Sequence, residues 1–130
     1  MFKYVHGAKL SIWLRSGAQQ SWDEAETSIP GNRGACPAQF RARMERLAST
    51  GWLRIPDHMN DEGNGIYAIK ARCGLRGYGW FDSHENQKVF VISHVCLKKK
   101  QRLDPSDKKR AESERTSFAN EREKLRSKSR

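Results

Sequence analysis

Residues 66–97, IYAIKARCGLRGYGWFDSHENQKVFVISHVCL, decide the fold. Three β-rich runs lie here, Ile66 to Arg72, Leu75 to Phe81 and Lys88 to Leu97. Only short turns separate them, around Gly74 and around His84-Glu85-Asn86. Strands joined so briefly pair as antiparallel neighbours, so the stretch predicts a three-stranded meander. Strand side chains alternate between faces, and this sorts the polar residues. Lys70 and Arg72 project together, opposite Tyr67, Ile69 and Ala71. Arg76, Tyr78 and Trp80 share a face of the second strand, and Phe90, Ile92, His94, Cys96 and Lys98 share one of the third.

Upstream of the meander, Lys9 to Arg15 alternates, with Leu10, Ile12 and Leu14 on one side, and predicts a first strand. Ser21 followed by Glu24 resembles a capping box, opening a helix that Pro30-Gly31 ends. From Pro37, the residues Phe40, Met44 and Leu47 recur at helical spacing, and Gly51 supplies a left-handed stop. They are expected in the core with Ile69, Val91 and Val95. Pro56 to Gly65 is polar and glycine-rich and reads as a loop; Met59 breaks the calcium-loop pattern that Asp57 would start. Downstream, Asp104 as N-cap and Pro105 just inside predict a final helix to about Arg126. Its apolar stripe, Ala111, Phe118 and Leu125, is thin, so the helix either docks by that stripe or waits for a partner.

The chain has room for one domain, 1–130, divided into an α/β core (1–104) and a basic C-terminal helix and tail (105–130). Its fold class is α+β. The net charge is +10, and residues 98–130 carry a surplus of seven positive charges. With a pI near 9.9, this fits a polyanionic partner, nucleic acid before anionic membrane. The longest fully apolar run, Val89-Phe90-Val91-Ile92, is too short to span a bilayer, and the N-terminus shows no signal-peptide core. Cys36, Cys73 and Cys96 are odd in number and form no CxxC pair, which fits reduced thiols of a cytoplasmic protein, packed as small core residues. His6, His58 and His84 fall in loops without partners at ligand spacing, so neither a metal site nor a cofactor is expected.

Each sheet residue also has a plain structural reading. Lys70 and Arg72 fit ordinary solvent-face cations, and His94 in an apolar strand fits a satisfied core histidine. Tyr78 and Trp80 fit packing as well as base stacking, and Lys98-Lys99-Lys100 fits simple solubility at a strand end.

The stretches IYAIKARCGLRGYGWFD and VFVISHVCLKKKQRLDPSDKKRAESER resemble the RelE/HigB-like toxins of bacterial type II toxin–antitoxin systems, in particular the phage-derived branch. Ile66-Tyr67-Ala68-Ile69-Lys70 matches that family's first meander strand, Ile92 through Lys99 its third, and Pro105 through Ala111 the opening of its last helix. Ala68 stands where an acidic residue is usual, Cys96 where Phe is usual, and Arg76 precedes Tyr78 instead of following it. The resemblance implies a RelE-like microbial RNase fold, a curled antiparallel sheet with N-terminal helices on one face and a C-terminal helix. It also implies metal-free cleavage of messenger RNA at the ribosome by the ribose 2′-OH. On that reading Lys70 and Arg72 hold the phosphate, and Arg76 is the main transition-state cation. His94 is then the acid or base and Tyr78 the reserve proton donor. Lys98, Lys99, Lys100 and Trp80 bind RNA. The implied partners are a cognate helix-turn-helix antitoxin, the ribosome and mRNA, with operator DNA reached only through the antitoxin and no membrane. The alternative within the fold is a protein without RNase activity, either a gyrase-targeting toxin or a nucleic-acid- and antitoxin-binding module.

Overall fold

The computed structural model describes residues 2–29, 35–98 and 105–128. In chain order the elements are β1 (Phe2–His6), β2 (Ser11–Leu14), α1 (Ala18–Thr27), α2 (Ala35–Thr50), β3 (Met59–Gly63), β4 (Ile66–Lys70), β5 (Leu75–His84), β6 (Gln87–Leu97) and α3 (Pro105–Lys128). One six-stranded sheet runs β1-β2-β6-β5-β4-β3. The fold is α+β. The meander β4-β5-β6 forms as its alternation predicts, and its second turn is tight, with Glu85 and Asn86 both at positive φ.

Several features depart from the sequence reading. A strand, β1, precedes the expected first strand and takes in His6, and His84 ends β5, so neither histidine lies in a loop. The sheet is mixed, because β2 lies parallel to β6, which the intervening helices permit. The expected loop from Pro56 to Gly65 contains edge strand β3, where Met59 is buried opposite Ile69. Ser21 does not cap α1, which begins at Ala18; its hydroxyl sits inside the helix and accepts the Val95 N–H at 3.0 Å, tying α1 to β6 where β2 has ended.

Helices α1 and α2 cover one face of the sheet. Phe40, Met44 and Leu47 of α2 are fully buried there with Ile12, Ile69, Leu75, Phe90 and Ile92, and Trp22 of α1 meets Phe40 edge-on at 5.4 Å. Val91 and Val95 are buried as well. Gly51, at φ +85°, ends α2 as its position predicts.

Helix α3 crosses the opposite face, over Ile66, Ala68, Tyr78, Trp80, Val89 and Val91. It docks through Ala111 and Phe118, the thin stripe seen in sequence, whereas Leu125 stays exposed. The apolar stripe is reinforced by charge. Phe118 lies 5.9 Å from Trp80, with the Arg15 and Arg122 guanidinium groups 5.7 and 5.2 Å from its ring centre. Buried Arg15 donates to Glu114 at 2.6 Å and forks onto Glu121 at 2.9 and 2.8 Å, and Arg122 donates to Asp82 at 2.9 Å. Both faces of the sheet therefore carry helices, with the Lys70–Arg76 end of the α3 face only half-buried.

Cys36 and Cys73, expected as separate reduced thiols, are paired in a disulfide with their Cα atoms 5.8 Å apart. Folding brings the first turn of α2 against the β4–β5 turn, which sequence spacing does not reveal. The pairing removes the thiol-based argument for a reducing compartment. Cys96 is free and half-buried. Among the described residues no helix is long and apolar enough to cross a membrane.

Candidate nucleic-acid interface

A bulge on β6 decides which face each candidate reaches. Tyr78 lies opposite His94, but Gly79 lies opposite Ile92, so Ser93 is the extra residue. Gly79 is required there, because a side chain would strike the Val91 carbonyl. The bulge separates two groups that strict alternation places together: Phe90 and Ile92 turn toward α1 and α2, whereas His94 and Lys98 meet α3.

His94 is fully buried beneath the first turn of α3. Its Nδ1 lies 2.9 Å from Ser93 Oγ and its Nε2 2.9 Å from Asp107 Oδ1. Its ring stacks on Tyr78 at 5.2 Å and 10°. Lys98 Nζ stands 3.6 Å from Asp107 and 5.5 Å from the centre of the Tyr78 ring. Burial, then Cys96 and Asp107, drives the Tyr78 hydroxyl far above the usual phenol range, and burial followed by Asp107 pushes the Cys96 thiol up to about 12. Trp80, expected as an RNA-stacking platform, is closed by Phe118, and its indole N–H donates to Asp82 at 3.1 Å. In this arrangement His94, Tyr78 and Trp80 join the sheet to α3 and do not meet solvent. The cause is tertiary, since their strand positions are as expected and the helix lies on top of them.

At the end of the same face the sheet is open. Lys70 on β4 and Arg76 on β5 are direct cross-strand partners. Both are half-buried. Arg43 reaches from α2 and donates to the Lys70 carbonyl. Arg72 is not on a strand beside Lys70 as alternation predicts; β4 stops at Lys70, and the Arg72 backbone N–H in the following turn donates to Gln39 at 2.8 Å.

These cations work against one another. Burial, then Arg76, lowers the Lys70 amine, with Arg43 adding to the shift and Asp57 and Glu62 opposing it, and burial followed by Arg72 lowers Arg43. His58, which leads into β3 and accepts the Lys70 N–H on its carbonyl at 2.9 Å, is also lowered, by burial and then by Arg43. Arg54 and Arg46 push it the same way and Asp57 opposes them. Among the described residues Arg43, Lys70, Arg72 and Arg76 make no ion pair, and Arg76 Nε is buried without an acceptor. A bound anion would relieve this repulsion and supply the missing acceptors.

Sequence reasoning named Lys70, Arg72 and Arg76 as phosphate-facing cations, with Lys70 beside Arg72 on one strand, but did not pair Lys70 with Arg76 and missed Arg43, Arg46 and His58. The spacing of Arg43 and Arg46, one helical turn apart, was the available signal. His58 lies in the turn before β3, as the loop reading has it, and nothing in the sequence signals that this turn packs beside Arg43. Lys99 and Lys100 lie outside the described residues, as does Asp104. Among the described residues no His, Cys, Asp and Glu side chains gather into a metal site. No protein-family model matches the chain, and neither a curated protein nor a solved structure matches it.

Proposed function

We propose that this chain is a RelE/HigB-like toxin of a type II toxin–antitoxin pair, a cytoplasmic endoribonuclease that cleaves ribosome-bound mRNA through its open basic edge. The observation that carries the reading is the cluster Lys70, Arg76, Arg43 and Arg72, cations that make no ion pair among the described residues. Arg76 and Arg43 lower Lys70 and Arg72 lowers Arg43, with Asp57 and Glu62 opposing the shift of Lys70 only at longer range. The chain runs β1-β2-α1-α2-β3-β4-β5-β6-α3, and the reading rests on the basic cluster and the sequence resemblance.

In the proposed reaction a base takes the 2′-OH proton, the 2′-oxygen attacks phosphorus in line, and the bond to the 5′-oxygen breaks. The departing 5′-oxygen takes a proton from solvent, leaving a 2′,3′-cyclic phosphate and a 5′-OH. Lys70 and Arg76 would carry the added charge of the phosphorane. His58 is the imidazole placed among these cations, and a base with a lowered pKa is ready to accept a proton at neutral pH. This moves the proton-transfer role away from His94, whose two ring nitrogens are engaged by Ser93 and Asp107. A helix-turn-helix antitoxin would be the partner, carrying the chain to operator DNA.

The closure of His94 and Tyr78 favours a second reading, in which the basic edge binds nucleic acid without cleaving it. Incubating the purified protein with single-stranded RNA in EDTA and analysing product ends separates the two. The toxin reading expects cyclic-phosphate ends, a loss of about 100-fold or more in rate for His58→Gln, and retained cleavage in a folded His94→Gln variant. Tight binding with intact RNA leaves the binding module standing.

A further inference from the structure

The chain has four tryptophans, and three are absorbed by packing: Trp22 in the core against Tyr4 and Phe40, Trp80 under Phe118, and half-buried Trp13 against His84. Trp52 is 58% exposed. It follows Gly51, and its position is fixed by the backbone around it. The Gly51 N–H donates to the Leu47 carbonyl at 2.8 Å, Thr50 Oγ1 lies 2.9 Å from the Trp52 carbonyl, and Leu53 is buried one residue on. An indole held outward by an anchored backbone is a preorganised flat surface. Ile55, three residues on, is exposed as well.

The surroundings of this surface are cationic. Arg46, whose carbonyl lies 2.8 Å from Thr50 Oγ1, is one turn before the end of α2. Arg54 is two residues from Trp52, no more than about 7 Å of chain away. The Arg54 carbonyl accepts the His58 N–H at 2.8 Å, and the His58 carbonyl accepts that of Lys70 at 2.9 Å. The backbone thus leads in a few steps from Trp52 to the basic edge. Asp57, the acid in this loop, is already 3.7 Å from Arg54. An apolar protein surface would have to desolvate these arginines, whereas a nucleic-acid strand offers phosphates for them and a base for the indole.

We propose that Trp52 is a stacking platform for one unpaired base, and that the ligand of the basic edge is therefore single-stranded RNA and not duplex. The inference rests on the reading of that edge as a phosphate seat. A paired base has both faces covered by its neighbours, so only an unpaired one can lie on Trp52. Stacking adds affinity without neutralising a phosphate, which makes its signature independent of salt.

The test measures fluorescence anisotropy of the full chain with a labelled 12-nucleotide single strand and with a 12-base-pair RNA duplex, over a salt series. Trp52→Ala is expected to weaken single-strand binding by about 10-fold or more with no change in salt slope, and to leave duplex binding as it was. Trp52→Phe should retain most of the affinity. Lys70→Ala with Arg76→Ala should instead lower the salt slope for both ligands. Unchanged single-strand affinity in Trp52→Ala, or an equal loss on duplex, overturns the platform while a lowered slope in the lysine–arginine variant leaves the edge in place. An unchanged slope in that second variant removes the edge itself. If Trp52 then proves to be needed for binding a protein and not RNA, the platform falls with it.

Discussion

Replacing Lys70 and Arg76 together by alanine probes the basic edge through its counterions. Each phosphate neutralised on a single strand contributes about 0.7 to the slope of log affinity against log salt. The four cations Lys70, Arg76, Arg43 and Arg72 would together contribute about 2.8, so their share of affinity falls about 50-fold between 50 and 200 mM salt. Removing two of the four should lower the slope by about 1.4, reducing that share of the loss to about sevenfold. The basic tail adds its own constant contribution, so the difference between variant and parent carries the information. Anisotropy titrations at four salt concentrations measure it, with circular dichroism to establish that the variant folds. These side chains carry no ion pair among the described residues, so little structural cost is expected. A folded double variant with the parent's slope would refute the assignment of phosphate to this edge.

Phe118→Ala removes the ring held between Arg15 and Arg122 and should cost about 3–5 kcal/mol, lowering the melting temperature by on the order of 10 °C. A loss under about 1 kcal/mol by calorimetry would mean that α3 is not docked as described. Cys73→Ser opens a link between residues 37 apart and should cost about 4 kcal/mol in a urea melt; a parent protein indifferent to reductant would contradict the pairing. Burial pushes the Asp82 carboxyl up, but hydrogen bonds from the Ser83 N–H, Arg122 and Trp80 outweigh it and hold the group below its ordinary value. Its contribution is thus present above the unfolded carboxylate pKa and is lost as pH falls through the lower folded value. The stability advantage of the parent over Asp82→Asn should shrink as urea melts are taken from pH 5 toward pH 3, and a constant difference would refute this.

Much of the central sheet is local in origin. The alternation from Ile66 to Leu97 and the short turns dictate a meander, because each strand is followed at once by its neighbour. The spacing of Phe40, Met44 and Leu47 predicts the buried face of α2, whereas alternation set Lys70 beside Arg72 and only the β4–β5 register pairs it with Arg76. Residues that partner across long separations were not legible. Edge strand β3 is polar apart from Met59, and its identity depends on pairing with β4. The bulge at Ser93 shifts alternation by one residue, so Phe90 and Ile92 part company with His94, and only the register against β5 reveals it. The strand pattern identified the face that carries His94, Tyr78 and Trp80, but not that it would be covered. Among the described residues the helix that covers it buries Ala111 and Phe118 alone, and its seat is completed by Arg15, 99 residues from Glu114 and 106 from Glu121. Short-range periodicity reports which side of an element a residue takes; what lies against that side is decided by segments brought together only when the whole chain folds.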